Sequence, residues 1–147
     1  MYDVLVLIHI LSAMAWVGGG FMLVTLERHA HKVGGPSALT RMMDDHQWAD
    51  DWIFTPAPLL TVVTGVTMVI MSDAWAFSQP WVYLALTLVA AEFGFGYRDY
   101  KRVKDAKEKG PDALEFAEAL RGYLRMAPLA IAMLAAVVFL MVFKPGA

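Results

Sequence analysis

Cysteine is absent from this chain of 147 residues. Without thiols the chain holds no disulfide, no thiolate metal site and no cysteine nucleophile. It also lacks a phosphate-binding glycine loop, a dinucleotide fingerprint, a nucleophile elbow and an HExxH zinc motif. The N-terminus has no basic region and no cleavage site of a signal peptide, so the first apolar run is expected to remain as a membrane span.

Charged residues are scarce in four long apolar runs. Hydrophobic residues make up 59% of the chain, whereas soluble domains contain about 45–50%. A membrane helix needs about 20 apolar residues. The runs predict an all-α polytopic membrane protein that forms one four-helix transmembrane domain over residues 1–147. Its spans are expected at 3–26, 52–71, 80–97 and 126–143.

Glycine and proline divide the chain between these runs. Gly34-Gly35-Pro36 predicts a helix break, after which Ser37 is expected to cap a short helix over 38–51. Residues 72–79 are expected to form a short loop between the second and third spans. Gly110-Pro111 predicts a helix stop followed by a restart.

The segment 111–125 has apolar residues at helical spacing with charges on the other side. It predicts a cytoplasmic amphipathic helix before the fourth span, either lying on the membrane surface or forming a stem of that span. The expected apolar stripe consists of Leu114, Ala117, Leu120 and Leu124.

Basic residues predict the orientation in the membrane. Every Lys and Arg except Lys144 lies between the first two runs or between the last two. The positive-inside rule places both of these loops in the cytoplasm and both termini outside a bacterial inner membrane. The net charge of −2 gives no indication of nucleic-acid binding. We expect the lipid bilayer as a partner and a homo-oligomer.

His9 is the only ionisable residue between Asp3 and Glu27. A polar ring at membrane depth is by default a hypothesis about function, because it needs a compensating partner. A neutral imidazole is a good axial ligand for haem iron. Small and aromatic residues share the helical face of His9, as a flat macrocycle would need, so we predict that His9 is an iron ligand in a haem site. The other expected cofactor-binding residues are Ser12, Trp16, Gly19 and Gly20.

A purely structural explanation exists for the same residues. His9 would form an interhelical hydrogen bond to a hydroxyl or a backbone carbonyl. The glycine strip over residues 18–20 would then allow close helix packing.

Glu92 is the second ionisable residue in an apolar context. We interpret it as a candidate catalytic residue that relays protons or offers an oxygen to a metal. Alternatively, it only pairs with a basic neighbour. A third group consists of His29, His31 and His46 near several aspartates, and it predicts either a zinc or copper site or a solvated charged loop.

These runs together resemble the HemJ-type protoporphyrinogen oxidase family and, more distantly, the copper-resistance D-type membrane domains. The first span carries most of the resemblance, and the second span and two later tryptophans add to it. The residues concerned are His9-Ile10-Leu11, Ala15-Trp16, Gly18-Gly19, Phe21, His29 or His31, Pro56-Ala57-Pro58-Leu59, Thr61, Gly65, Trp75 and Trp81.

The resemblance implies a helical bundle that binds b-type haem, with His9 as a functional residue. The HemJ pattern has a lysine early in the third span and a histidine later, where this chain has Leu84-Ala85 and Glu92. The resemblance to the HemJ-type family therefore supports the fold and the cofactor site of this chain better than it supports the oxidase reaction.

The leading hypothesis is a haem b-binding redox protein that acts on a porphyrin or transfers electrons to a quinone. The alternatives are a copper or zinc transporter, or another metal-handling membrane protein without haem, and a non-catalytic accessory membrane subunit.

Overall fold

The computed structural model describes residues 1–110 and 114–146, and these residues form helices and short connections without a strand. The predicted all-α class is therefore confirmed. The helices are α1 (Tyr2–Asp45), α2 (Gln47–Ala49), a π-helical turn (Asp50–Phe54), α3 (Pro56–Ile70), α4 (Pro80–Lys109) and α5 (Leu114–Phe143).

Helix α1 consists of two helical parts that meet at Gly35. Gly35 has φ 69° and ψ −160°, a left-handed conformation that glycine adopts without a Cβ clash. Pro36 follows and has no N–H to donate, so the predicted break is confirmed. The predicted cap is wrong, because the Ser37 hydroxyl donates back to the carbonyl oxygen of Gly34 at 3.3 Å and accepts no helical N–H.

The first compact unit comprises Met1–Tyr83 with residues 145–146. In it α3 packs along α1, and buried residues of α3 include Ala57, Thr64 and Met68. Helix α3 begins with Pro56 rather than at residue 52, and proline is tolerated there because the first helical position does not require an N–H. In the predicted loop after α3, the Ser72 hydroxyl accepts hydrogen bonds from the backbone N–H groups of residues 74 and 75.

The second compact unit comprises Leu84–Lys144. Helix α4 continues without a break from its apolar half into the basic segment, and it stops, as predicted, at Gly110, which has φ 147°. The predicted restart at Pro111 lies outside the described residues. Helix α5 is continuous through Pro128. The described part of the predicted amphipathic segment, residues 114–125, is therefore the first part of the same helix as the predicted fourth span.

The buried face of this segment differs from the predicted stripe. Leu114 is 82% exposed, whereas Phe116, Ala119 and Leu120 are at most 5% exposed. Of the four predicted residues only Leu120 is fully buried.

Three helical segments are long and apolar enough to cross a membrane among the described residues, namely Tyr2–Asp45, Gln47–Ile70 and Leu114–Phe143. Only 6% of the most apolar stretch of α1 is buried within the chain, so its surface is available to lipid. Helix α4 is not among the three. The predictions of a fourth span and of a single domain stay predictions.

Candidate functional site around His9

The His9 imidazole bridges α1 and α3. Its Nδ1 atom lies 2.9 Å from the carbonyl oxygen of Thr61 and 3.2 Å from the hydroxyl of Thr64. The two threonines lie one helical turn apart on α3, and Thr64 is 5% exposed. His9 is therefore held at a fixed orientation by backbone and side chain of the facing helix.

The carbonyl partner fixes the tautomer of His9. A carbonyl oxygen only accepts hydrogen bonds, so Nδ1 carries the proton and donates it to Thr61. In the neutral ring Nε2 then holds a free lone pair. Within 1–110 and 114–146, the hydrogen bonds of the His9 ring all involve Nδ1, and none involves Nε2. This is the arrangement that metal-ligating histidines adopt, in which the other ring nitrogen is anchored to a carbonyl.

Ser12 continues the same polar contact one turn further along α1. Its hydroxyl donates to the carbonyl oxygen of Ile8 at 2.8 Å and accepts from the Thr61 hydroxyl at 3.0 Å. Ser12 is 7% exposed. The bond from Thr61 thus joins α3 to α1 and stabilises the pairing of the two helices, while the bond to Ile8 stays within α1.

Two glycines make the helix pairing possible. A Cβ at Gly65 would lie 3.0 Å from Cε1 of His9, so the absence of a side chain makes room for the imidazole. At Gly19 the ring of Phe54 occupies the space that a Cβ would take. Gly18, by contrast, has nothing within 4 Å of its Cβ position. The glycine strip thus receives an aromatic side chain of the same unit at its middle residue.

The predicted cofactor-binding residues divide around His9. Successive helical residues turn by about 100°, which puts Ser12 and Gly19 on one side of His9, where they face α3 and Phe54. Trp16 and Gly20 lie nearly in line with His9, each about 20° from it and on opposite sides. Both are half-buried. A planar ligand at Nε2 would therefore contact Trp16 and Gly20, with Ser12 and Gly19 behind the ring.

Glu92 lies on α4 in the second compact unit. It is half-buried, and its Oε2 atom is buried without a hydrogen-bond partner in the described parts of the chain. The alternative of a simple ion pair with a basic neighbour has no support there, since none of the described ion pairs includes Glu92.

A buried acidic residue that the sequence analysis did not single out lies at the end of the apolar part of α1. Glu27 is 2% exposed, and its Oε1 lies 3.8 Å from Nε2 of His46. Asp50 Oδ2 approaches the same Nε2 at 3.3 Å, and the His46 Nδ1 lies 2.6 Å from the carbonyl oxygen of Met42. Nδ1 donates to that carbonyl, so Nε2 is the ring nitrogen that faces the two carboxyl groups.

The predicted cluster of histidines and aspartates is only partly assembled. His46 pairs with Asp50 as described, but His29 is exposed. No group of three or more His, Asp or Glu residues suited to a metal ion is found within 1–110 and 114–146. The signal for Glu27 was available in the sequence, since it is the first charge after the apolar run.

The helices and the polar contact inside an apolar pair define the class of protein as a helical integral membrane protein. A family model described as a predicted integral membrane protein, DUF2269, matches residues 3–145. The chain belongs to this family. No curated protein and no solved structure matches the chain. The resemblance to HemJ-type and copper-resistance D-type proteins stays a prediction.

Proposed function

We propose that this protein binds haem b in the membrane through Nε2 of His9 and has a redox role. One observation carries the proposal: Nδ1 of His9 is anchored to the Thr61 carbonyl at 2.9 Å while Nε2 keeps its lone pair. Anchoring of this kind fixes the ring orientation and raises the basicity of the ligating nitrogen. The sequence resemblance to the HemJ-type family supports the same assignment.

The residues around His9 fit a flat ligand on one side only. Helix α3 and Phe54 fill the side of Ser12 and Gly19, so we place the ligand along Trp16 and Gly20, the residues nearest in line with His9 on the helix. Trp16 supplies an aromatic wall. Gly20 has no side chain and allows the ligand to come close to the helix.

When bound, haem supplies one-electron transfer. The chain's own residues hold and orient the ring of His9, and the apolar face of α1 excludes water. We propose Glu92 as the group that takes up or releases a proton during the reaction. Its carboxyl has no hydrogen-bond partner at Oε2 among the described residues, so it is available to a ligand or a water molecule. A porphyrin or a quinone would be the partner molecule.

Four spans with both termini outside complete the proposal. The first half of α4 is apolar from Pro80 to Tyr97, with Glu92 as its only acidic or basic residue. A hairpin of α4 and α5 would place both basic segments in the cytoplasm. Only 6% of the most apolar stretch of α1 is buried within the chain. This leaves a large apolar surface that a second copy of the chain could cover, which supports a homo-oligomer in the inner membrane.

The absorption spectrum of the protein, purified from haem-supplemented cells, tests the proposal. A Soret band is expected in the wild type, and its loss or a strong shift is expected in His9→Ala. His29→Ala is the matched control, because this exposed histidine lies on the same helix. A wild type without a Soret band would reject the proposal.

One specific observation favours a second function, that of an accessory subunit without chemistry. The bond from His9 to Thr61 ties α1 to α3 and satisfies one ring nitrogen without any cofactor. On this account His9→Asn keeps the donor and leaves stability unchanged, and the protein contains no haem. The metal-handling alternative has no such support, and metal analysis of the pure protein tests it: copper or zinc without porphyrin would favour it.

A further inference from the structure

In both α4 and α5, an arginine lies at the boundary between the apolar and the charged part of the helix. Helix α4 is apolar up to Tyr97 and becomes basic at Arg98. Helix α5 is charged up to Arg125 and becomes apolar at Met126. Each boundary is thus marked by an arginine.

Two contacts show that these boundaries lie at one level. Lys109 Nζ lies 3.0 Å from Glu115 Oε2, and Arg102 Nη1 lies 4.0 Å from the position of a Cβ at Gly122. Both contacts belong to the same antiparallel register. That register places Arg98 beside Met126, so the apolar parts of α4 and α5 end together.

An open groove runs between the two basic segments. Its cavity has a volume of about 730 Å³, and a smaller depression of about 350 Å³ lies next to it on α5. The floor includes the small residues Ala106, Ala119 and Gly122. Three acidic residues line the two cavities, namely Asp105, Glu115 and Glu118. The basic residues that line them are Arg98, Lys101, Arg102, Lys109, Arg121 and Arg125.

Several of these positive charges have no acidic partner in the described residues. Lys109 pairs with Glu115, and Arg98 pairs with Asp99 at 3.2 Å. Arg102 and Arg125 form no ion pair within 1–110 and 114–146. The groove therefore keeps a positive excess at the level where the apolar segments end.

We propose that this groove binds the phosphate group of an anionic phospholipid. A guanidinium matches phosphate with two parallel hydrogen bonds, and Arg102 and Arg125 are available for them. The cytoplasmic leaflet is rich in negative headgroups, and a lipid there would place its chains along the apolar parts of α4 and α5. Charge complementarity and the level of the groove favour a lipid over a soluble anion.

Native mass spectrometry of the detergent-solubilised protein, titrated with phosphatidylglycerol or phosphatidylcholine, tests this site. The wild type is expected to bind phosphatidylglycerol more tightly than phosphatidylcholine. Each arginine near an anionic surface contributes about five-fold in affinity, so Arg102→Gln with Arg125→Gln is expected to weaken binding about 25-fold. The matched control is Lys32→Gln with Lys104→Gln, which removes the same charge from exposed positions outside the groove.

A second variant tests the groove without changing charge. Gly122→Leu fills the smaller depression, and it is expected to weaken phosphatidylglycerol binding while helicity, measured by circular dichroism, is retained. Equal loss in the lysine control, or unchanged binding in Gly122→Leu, would overturn the proposal. Titration with inorganic phosphate and with polyglutamate completes the test. Binding of either as tight as that of phosphatidylglycerol would assign the groove to a soluble anion or an acidic protein and overturn the lipid site.

Discussion

The imidazole of His9 lies directly over Gly65, so that a Cβ at residue 65 would come within 3.0 Å of its Cε1 atom. The ring reaches the Thr61 carbonyl only because α3 has no side chain at this point. The pairing of α1 and α3 and the orientation of His9 are therefore one structural feature.

Gly65→Ala is predicted to destabilise the protein by about 1–3 kcal/mol, because the added methyl group overpacks the contact. Thermal unfolding in detergent, followed by circular dichroism, measures the effect. Gly18→Ala is the matched control, since nothing lies within 4 Å of its Cβ position. Equal midpoints for the two variants would contradict the described contact.

A similar prediction concerns Gly19 and Phe54. Gly19→Ala alone is predicted to destabilise the protein, because the added Cβ overlaps the Phe54 ring. Combined with Phe54→Leu, which is smaller, the loss is predicted to be less than the sum of the two single changes. A coupling energy of about 0.5 kcal/mol or more in the double-mutant cycle is expected for side chains in contact. Strict additivity would mean that the two residues do not touch.

The third prediction concerns the charged group at the end of the apolar part of α1. His46→Ala removes the imidazole that lies beside the buried Glu27, and it is predicted to cost about 1–3 kcal/mol of stability. Adding Glu27→Gln is predicted to recover part of this loss, because a neutral amide is less costly to bury than a carboxylate that no longer contacts His46. His29→Ala is expected to leave the unfolding midpoint unchanged. If the double variant were less stable than the sum of both single losses, the assigned contact between Glu27 and His46 would be wrong.

The absence of cysteine allows a clean test of the membrane topology. Single cysteines at Ser78 and Lys104 flank the proposed third span. A membrane-impermeant maleimide is predicted to label Ser78→Cys on intact cells, and Lys104→Cys only after the membrane is permeabilised. Labelling of both on intact cells would mean that α4 does not cross the membrane, and the cysteine-free wild type serves as the blank.

Local signals in the sequence predicted two of the helix ends. The break at Gly35 and the stop at Gly110 each involve a residue with its own backbone restriction, whereas the start of α3 at Pro56 lies four residues after the predicted start of the second span at residue 52. Such a restriction acts within a few residues, so it can be recognised without knowing what packs nearby.

Contacts between distant residues were harder to predict. The structural alternative for His9 gives it a hydroxyl or a carbonyl partner, and the ring contacts both, but nothing local in the sequence identifies Thr61 and Thr64. The contact between Glu27 and His46 likewise joins two residues on opposite sides of the Gly35 break. The π-helical turn before α3 carries no recognisable sequence signal, although it positions Phe54 against Gly19.

The haem content of the purified protein tests the central proposal most directly. A pyridine haemochrome assay is predicted to give a fixed whole-number ratio of haem b to chains for the wild type. His9→Gly is predicted to contain almost none, and added imidazole is predicted to restore binding by taking the place of the missing ring. A wild type without haem, or a His9→Gly variant with the full ratio before imidazole is added, would contradict ligation by His9.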